Sequence, residues 1–245
     1  MALVLLGEDP QDFPPPSDAL RDPDGLLAVG GDLSVPRLLA AYRRGIFPWF
    51  SRGDPILWWS PDPRYCLVPA DIHVGRSLRR TLARAHFRYT FDADFPAVID
   101  ACARAPRAGQ RGTWITKAMR DAYVDLHRAG HAHSVEAWRG DELAGGLYGV
   151  AIGRMFFGES MFSRVDDASK AAFVVFCRHL AHWGFPLLDC QMETAHLARF
   201  GAGYLPRPHF LDVVSTATAL PAPDWRFDPG LAGNPHGSGK ADPAL

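Results

Sequence analysis

Glu159 is the first residue that calls for explanation. It stands inside the run from Met155 to Phe162 (MFFGESMF), whose apolar residues occupy both faces of a two-residue period. A strand of that kind belongs in the middle of a sheet, covered on both sides. An ionised carboxylate buried there without a partner is costly, so Glu159 must be paired, protonated or lining a wet pocket. Gly158 beside it suits a bulge or the close approach of another backbone. Further on, Asp189-Cys190-Gln191 puts Asp189 and Gln191 on one strand face by the same period. A carboxylate next to an amide can orient an amine and steady an oxyanion; the alternative is a satisfied aspartate at a strand end. Cys190 points to the other face, has no histidine at a suggestive spacing, and reads as core.

Arg76, Arg79, Arg80 and Arg84 fall at i, i+3, i+4 and i+8, one stripe of a helix, with no acid between Arg76 and Arg88. Charged stripes are usually solvated faces, but one of a single sign also suits phosphate contact. His131 and His133 share a strand face without a cysteine or carboxylate ladder, so no metal site is expected. HExxH, GxSxG and P-loop words are absent. The nearest approach to an acyl-CoA pyrophosphate loop, residues 199–203 (RFGAG), has its arginine one place out. It also coincides with an expected helix C-cap, which counts against CoA, and no cofactor is expected.

The elements that must hold these groups follow from pattern. The chain has 245 residues, 47% hydrophobic and 22% charged, enough for one large domain or two small ones. Its net charge of -1 excludes a global attraction to nucleic acid or membrane, so any such affinity is local. Only Lys117, Lys170 and Lys240 are lysines among 26 basic residues, so arginine is a compositional habit and a lone arginine carries little weight. Four scattered cysteines without a CxxC pair suit a reducing cytosol. No apolar run reaches membrane-spanning length and the first ten residues lack the basic start of a signal peptide, so a cytoplasmic location is expected.

Residues 1–62 are rich in Pro, Gly and aromatics, with one short helix after Asp32 or Ser34 ending at Gly45, and read as a small N-terminal domain. Phe47, Trp49, Trp58 and Trp59 are expected to pack it on the rest. Residues 63–220 alternate short strands and amphipathic helices. A hairpin turns at Gly153-Arg154, a long helix spans 169–183 with Phe173, Phe176, Leu180 and Trp183 on one face, and a strand spans 186–191. Residues 221–245, rich in Pro and Gly, are expected to be disordered. The order is α+β, and it resembles the acetyltransferase-like (GNAT-like) fold with a mixed, mostly antiparallel sheet.

Read together, GLLAVGGDLS (25–34), AYRRGIFPWFS (41–51), DPILWWSPDPR (54–64), GTWIT (112–116), LHRAGHAHSVE (126–136), GESMFSR (158–164), ASKAAFVVFC (168–177) and LLDCQ (187–191) resemble the leucyl/phenylalanyl-tRNA–protein transferases. The match thins after Gln191. The resemblance implies transfer of Leu, Phe or less often Met from aminoacyl-tRNA to the α-amine of proteins beginning with Arg or Lys, tagging them for N-end-rule degradation. It implies Asp189 and Gln191 at the reaction centre and Glu159 nearby, holding an ammonium or the acceptor's basic side chain; a monomer is expected. Leu147, Phe156, Met161 and Phe176, with Gly158, would form the amino-acid pocket. Trp49 and Trp114, with Tyr42 and Tyr123, would hold the 3′-terminal adenosine, and the arginine stripe the acceptor stem. Two rivals are an acetyl-CoA-dependent N-acetyltransferase and an RNA-binding module without activity.

Overall fold

The computed structural model describes residues 3–106 and 113–233. The segment of residues 4–59 folds into a four-stranded sheet and one α-helix. Its elements are β1 (Val4–Leu6), β2 (Leu26–Gly30), α1 (Val35–Tyr42), β3 (Phe47–Pro48) and β4 (Leu57–Trp59), with strand order β1-β2-β4-β3. Ser34 is the N-cap of α1; its own side chain makes no cap bond, and Asp32 instead accepts from the Ser34 amide at 2.7 Å. Gly45, at φ 67°, ends the turn after the helix. Trp58 is buried within this unit, edge-on to Phe13 at 4.9 Å, whereas Phe47 reaches across to Arg64.

The remainder is built on β5 (Arg64–Leu67), α2 (Arg76–Ala83), β6 (Arg88–Phe91), α3 (Phe95–Arg104), α4 (Lys117–Arg128), β7 (Ala132–Arg139), β8 (Glu142–Ile152) and β9 (Met155–Ser163). There follow α5 (Ala168–His182), β10 (Leu187–Gln191), α6 (Ala195–Ala198), β11 (Gly203–Leu205), α7 (Arg207–Thr218) and α8 (Pro229–Ala232). Seven strands form one sheet in the order β11-β5-β10-β9-β8-β7-β6. Only β9 and β10 pair in parallel; every other neighbour is antiparallel. The sheet is covered on both faces, by α3, α4 and the N-terminal unit on one side and by α2 and α5 on the other, which explains why β9 is apolar throughout.

The caps follow the sequence. Asp94 accepts from the Ala97 amide to start α3, and Thr116 accepts from the Met119 amide to start α4. Gly153 leads the two-residue turn between β8 and β9 at φ 59°, where a Cβ would lie 2.5 Å from the Ala217 carbonyl oxygen; only glycine fits. Of the tail expected to be disordered, residues 221–233 have fixed partners and 234–245 lie outside the described residues. Trp225 and Phe227 supply apolar surface that the Pro/Gly-rich composition hid, and both pack beside α5. Among the described residues no helix is long and apolar enough to cross a membrane, and no group of three His, Cys, Asp or Glu could hold a metal ion.

Candidate active site

The parallel ladder of β9 and β10 ends at Asp189 opposite Phe157. Beyond that point each strand bulges away from its other neighbour. On β9, Tyr148 faces Ser160 and Gly149 faces Gly158, so Glu159 is the extra residue of a β-bulge. Gly149 must be glycine, since a Cβ there would lie 2.2 Å from the Phe157 carbonyl oxygen. On β10 the register against β5 slips between Asp189 and Gln191, and Gln191 takes a left-handed φ of 57°. The two strands part at their carboxyl ends, and a cavity of about 490 Å³ opens there, lined mainly by apolar side chains.

Asp189 does not line that cavity. It is fully buried in a two-pronged ion pair, Arg64 Nε donating to Oδ1 and Nη2 to Oδ2, both at 2.8 Å. The Arg64 guanidinium carbon lies 4.7 Å from the ring centres of both Phe47 and Phe210, so it is held between the N-terminal unit and α7. Asp189 Oδ1 also accepts from the Gln191 backbone amide at 2.9 Å, which fixes the left-handed turn. The period-two expectation that Asp189 and Gln191 share a face is therefore corrected by the bulge: Asp189 turns into the interior and Gln191 lines the cavity. The side-chain amide nitrogen of Gln191 is buried there without a hydrogen-bond partner, a donor with nothing to donate to.

Glu159 does line the cavity. Tyr42 Oη donates to its Oε1 at 2.6 Å and Tyr123 Oη to its Oε2 at 2.9 Å, while the two phenol oxygens stand 2.5 Å apart. The three oxygen–oxygen contacts close a ring. Burial pushes the Glu159 carboxyl up to about 7, against the lowering effect of the two tyrosine donors. Burial also raises both phenols well above their ordinary range, so they remain neutral donors.

Trp49, Trp114, Leu147, Phe156, Gly158 and Met161 line the same cavity. Trp114 is pinned by Thr113, whose hydroxyl accepts from the Ile115 amide, and by the cap of α4; Trp49 offers its carbonyl to Trp59 Nε1 at 2.7 Å. The expected places of three residues, Tyr42, Tyr123 and Phe176, are corrected. Tyr42 and Tyr123 are fully buried beneath Glu159 and present no face to an adenine ring. Phe176 stands behind Phe156 at 4.6 Å between ring centres and does not reach the cavity. The arginine stripe is exposed along α2, and among the described residues none of Arg76, Arg79, Arg80 and Arg84 has a salt bridge. Its helix touches the start of α5 through Thr81 and Asp167, two residues before the cavity-lining Ser169.

Sequence reasoning missed Arg64, dismissed among many arginines, although a buried Asp189 requires a cation. It also missed Phe173, Cys190, Leu197 and His196 in the cavity wall. Burial, helped by nearby Lys170 and Arg199, holds His196 below the usual histidine range, so it is neutral, and its Nε2 is buried without a partner.

An apolar cavity with a free amide donor and a carboxyl group suits group transfer from an already activated donor. The four cysteines are buried, and burial raises the thiols of Cys66, Cys177 and Cys190. Residues 31–62 match the family model described as the N-terminal domain of leucyl/phenylalanyl-tRNA protein transferase, and residues 66–215 match the model of the transferase itself. A Pseudomonas syringae pv. tomato leucyl/phenylalanyl-tRNA–protein transferase is 60% identical over 210 residues, 86% of this chain and 91% of that one. One from Myxococcus xanthus is 56% identical over 232 residues, 95% and 98% of the two chains. A solved structure, L-PGS from Bacillus licheniformis, superposes with a TM-score of 0.36 at 9% identity, over 69% of this chain and 53% of that one, too distant to carry an argument. The chain belongs to the leucyl/phenylalanyl-tRNA–protein transferase family.

Proposed function

We propose that this protein moves leucine, phenylalanine or, less readily, methionine from its tRNA ester to the α-amine of a protein that begins with Arg or Lys, marking that protein for N-end-rule degradation. The observation that carries the reading is the convergence of the free Gln191 amide and the Glu159 carboxyl on one apolar cavity, in a chain of this family.

An aminoacyl ester is activated already, so no covalent intermediate is required. The acceptor α-amine has an ordinary pKa of about 7.7–8.0, and freeing its lone pair at neutral pH costs only about 1–1.4 kcal/mol. The amine nitrogen attacks the ester carbonyl, and the charge that develops on the carbonyl oxygen meets the Gln191 amide. The carbon–oxygen bond to the ribose then breaks, and the proton lost by the amine leaves on the freed ribose hydroxyl. Asp189 acts at one remove, by holding Gln191 in its left-handed turn. Leu147, Phe156 and Met161 receive the side chain of the donor amino acid, and Trp49 and Trp114 the terminal adenosine. Ionised Glu159 receives the cationic side chain of the acceptor, and the α2 arginines receive phosphates of the acceptor stem. The parting of a parallel strand pair at its carboxyl ends supports an acetyltransferase-like arrangement, since that is where open sheets bind ligands.

The test is direct. Labelled Leu-tRNA and an Arg-initiated peptide are incubated with the protein, and label is sought on the peptide. Label on the peptide is the expected result; its absence, with tRNA bound, would leave only an RNA-binding module.

A further inference from the structure

We propose that Trp225, on the segment after α7, is a positioning residue that sets the depth of the donor pocket through Phe156. This rests on the reading of the cavity as the place of the donor side chain. The segment lies beyond residue 215, where the family model ends. It is nevertheless tied down firmly. Asp228 donates its backbone N–H to His179 Nε2 at 2.9 Å, and Arg178 donates to the Gly233 carbonyl at 2.6 Å. Phe227 lies against Phe91 and His179. The Trp225 indole is stacked on the His133 ring at 3.9 Å and meets Trp183 edge-on at 5.1 Å.

These contacts aim the indole at the wall of the cavity from behind. Trp225 is 6.1 Å from Phe176 and 6.2 Å from Phe156, and Phe156 lines the cavity. Phe156 has little room elsewhere. Gly149 lies against its ring, so closely that a Cβ there would be 2.5 Å from it, and Phe176 stands at 4.6 Å. Protein interiors transmit such constraints because they are close-packed. Without the indole, Phe176 and Phe156 would settle back from the cavity and leave it deeper. Apolar pockets discriminate about 10–200-fold per methylene, so a partial retreat should move donor choice by roughly three- to tenfold in favour of the larger side chain.

The experiment is a competition in one vessel. Full-length parent, Trp225→Ala and Trp225→Phe receive Leu-tRNA and Phe-tRNA carrying different isotopes, with an Arg-initiated peptide as acceptor. The ratio of labels on the peptide does not depend on how much protein is folded. The expected result is a Phe:Leu ratio raised roughly three- to tenfold in Trp225→Ala and about twofold in Trp225→Phe, with the change carried by the KM of the donors. A ratio equal to the parent's, with total transfer merely reduced, is what a structural prop would give and would overturn the inference. Should Trp225→Ala not fold, an unchanged ratio in Trp225→Phe overturns it alone. A parent that transfers neither label overturns the proposed function as well, so the two failures are distinguishable.

Discussion

Replacing Tyr42 or Tyr123 by phenylalanine should shift the pH dependence of acceptor use to higher pH. Each phenol donates one hydrogen bond to Glu159, and burial already holds that carboxyl near neutrality, at about 7. Hydrogen bonds to charged groups contribute about 1.5–3 kcal/mol, and one pKa unit is about 1.4 kcal/mol, so removing one donor should raise Glu159 by roughly one to two units. The sign follows from which form is stabilised. The phenols favour the carboxylate, so their loss favours the acid. Under the proposed function, ionised Glu159 is the form that would attract a cationic acceptor side chain. Use of an Arg-initiated peptide should therefore rise through pH 7 in the parent and through a limb one to two units higher in the variant. Below the limb the variant should be about 10–100-fold poorer, and at high pH the two should converge. The assay is kcat/KM for the peptide between pH 6 and 9.5, with a minimal aminoacyl-adenosine donor so that tRNA affinity plays no part. Glu159→Gln should lack this limb altogether. A Tyr42→Phe protein impaired by the same factor at every pH would refute the reasoning and leave the phenols as packing alone.

Three further outcomes are expected. Glu159→Gln should stabilise the fold at alkaline pH by about 3 kcal/mol, read by denaturant titration. The raised carboxyl contributes stability fully below its unfolded value of about 4.5 and loses it as pH rises through about 7, whereas glutamine titrates nowhere. Removing the partner with Arg64→Met should cost about 3–5 kcal/mol, because it strands Asp189 in the interior; at about 2–4 °C per kcal/mol this is visible as a fall in Tm. Neutralising Arg80 or Arg84 should weaken tRNA binding and shallow the salt slope by about 0.7–0.9 for each phosphate left without its arginine, while the minimal donor reacts as before.

The sheet around Glu159 is legible because its determinants are local: two apolar runs, a Gly-Arg turn and a strand length that fits a covered sheet. The need for a partner at Glu159 is legible too, but not which partner. Tyr42 and Tyr123 lie 117 and 36 residues away in the chain, and no spacing rule links them to it. Arg64 is hidden for a different reason. In a chain with 26 basic residues, nearly all arginine, one guanidinium carries no signal until the aspartate facing it is known to be buried. The tail misleads because its composition averages out two aromatics, and Trp225 and Phe227 are enough to anchor it.

The strict alternation that reveals a strand also fails where it matters most. Counting by two predicts that Asp189 and Gln191 act side by side. Bulges on the two adjacent strands β9 and β10 interrupt that regularity. Each inserts its irregularity directly after the last parallel pair, Asp189 with Phe157. A regular ladder there would have kept the strands together and left no cavity. The left-handed φ of Gln191 is unfavourable for a residue with a side chain, by about 1–3 kcal/mol. The hydrogen bond from its amide to Asp189 offsets this, and Arg64 in turn holds Asp189. The chain Arg64–Asp189–Gln191 is therefore a support for one strained turn, which explains why a fully buried carboxylate sits next to a site it does not touch. Gln191→Ala should therefore cost about 10²–10³-fold in kcat, as for an oxyanion donor. Asp189→Asn should cost a similar factor without alkaline rescue, and the double variant should be little worse than either, because the two residues act as a unit. Strictly additive losses, or recovery of Asp189→Asn above the pKa of the amine, would mean that Asp189 reaches the reaction itself.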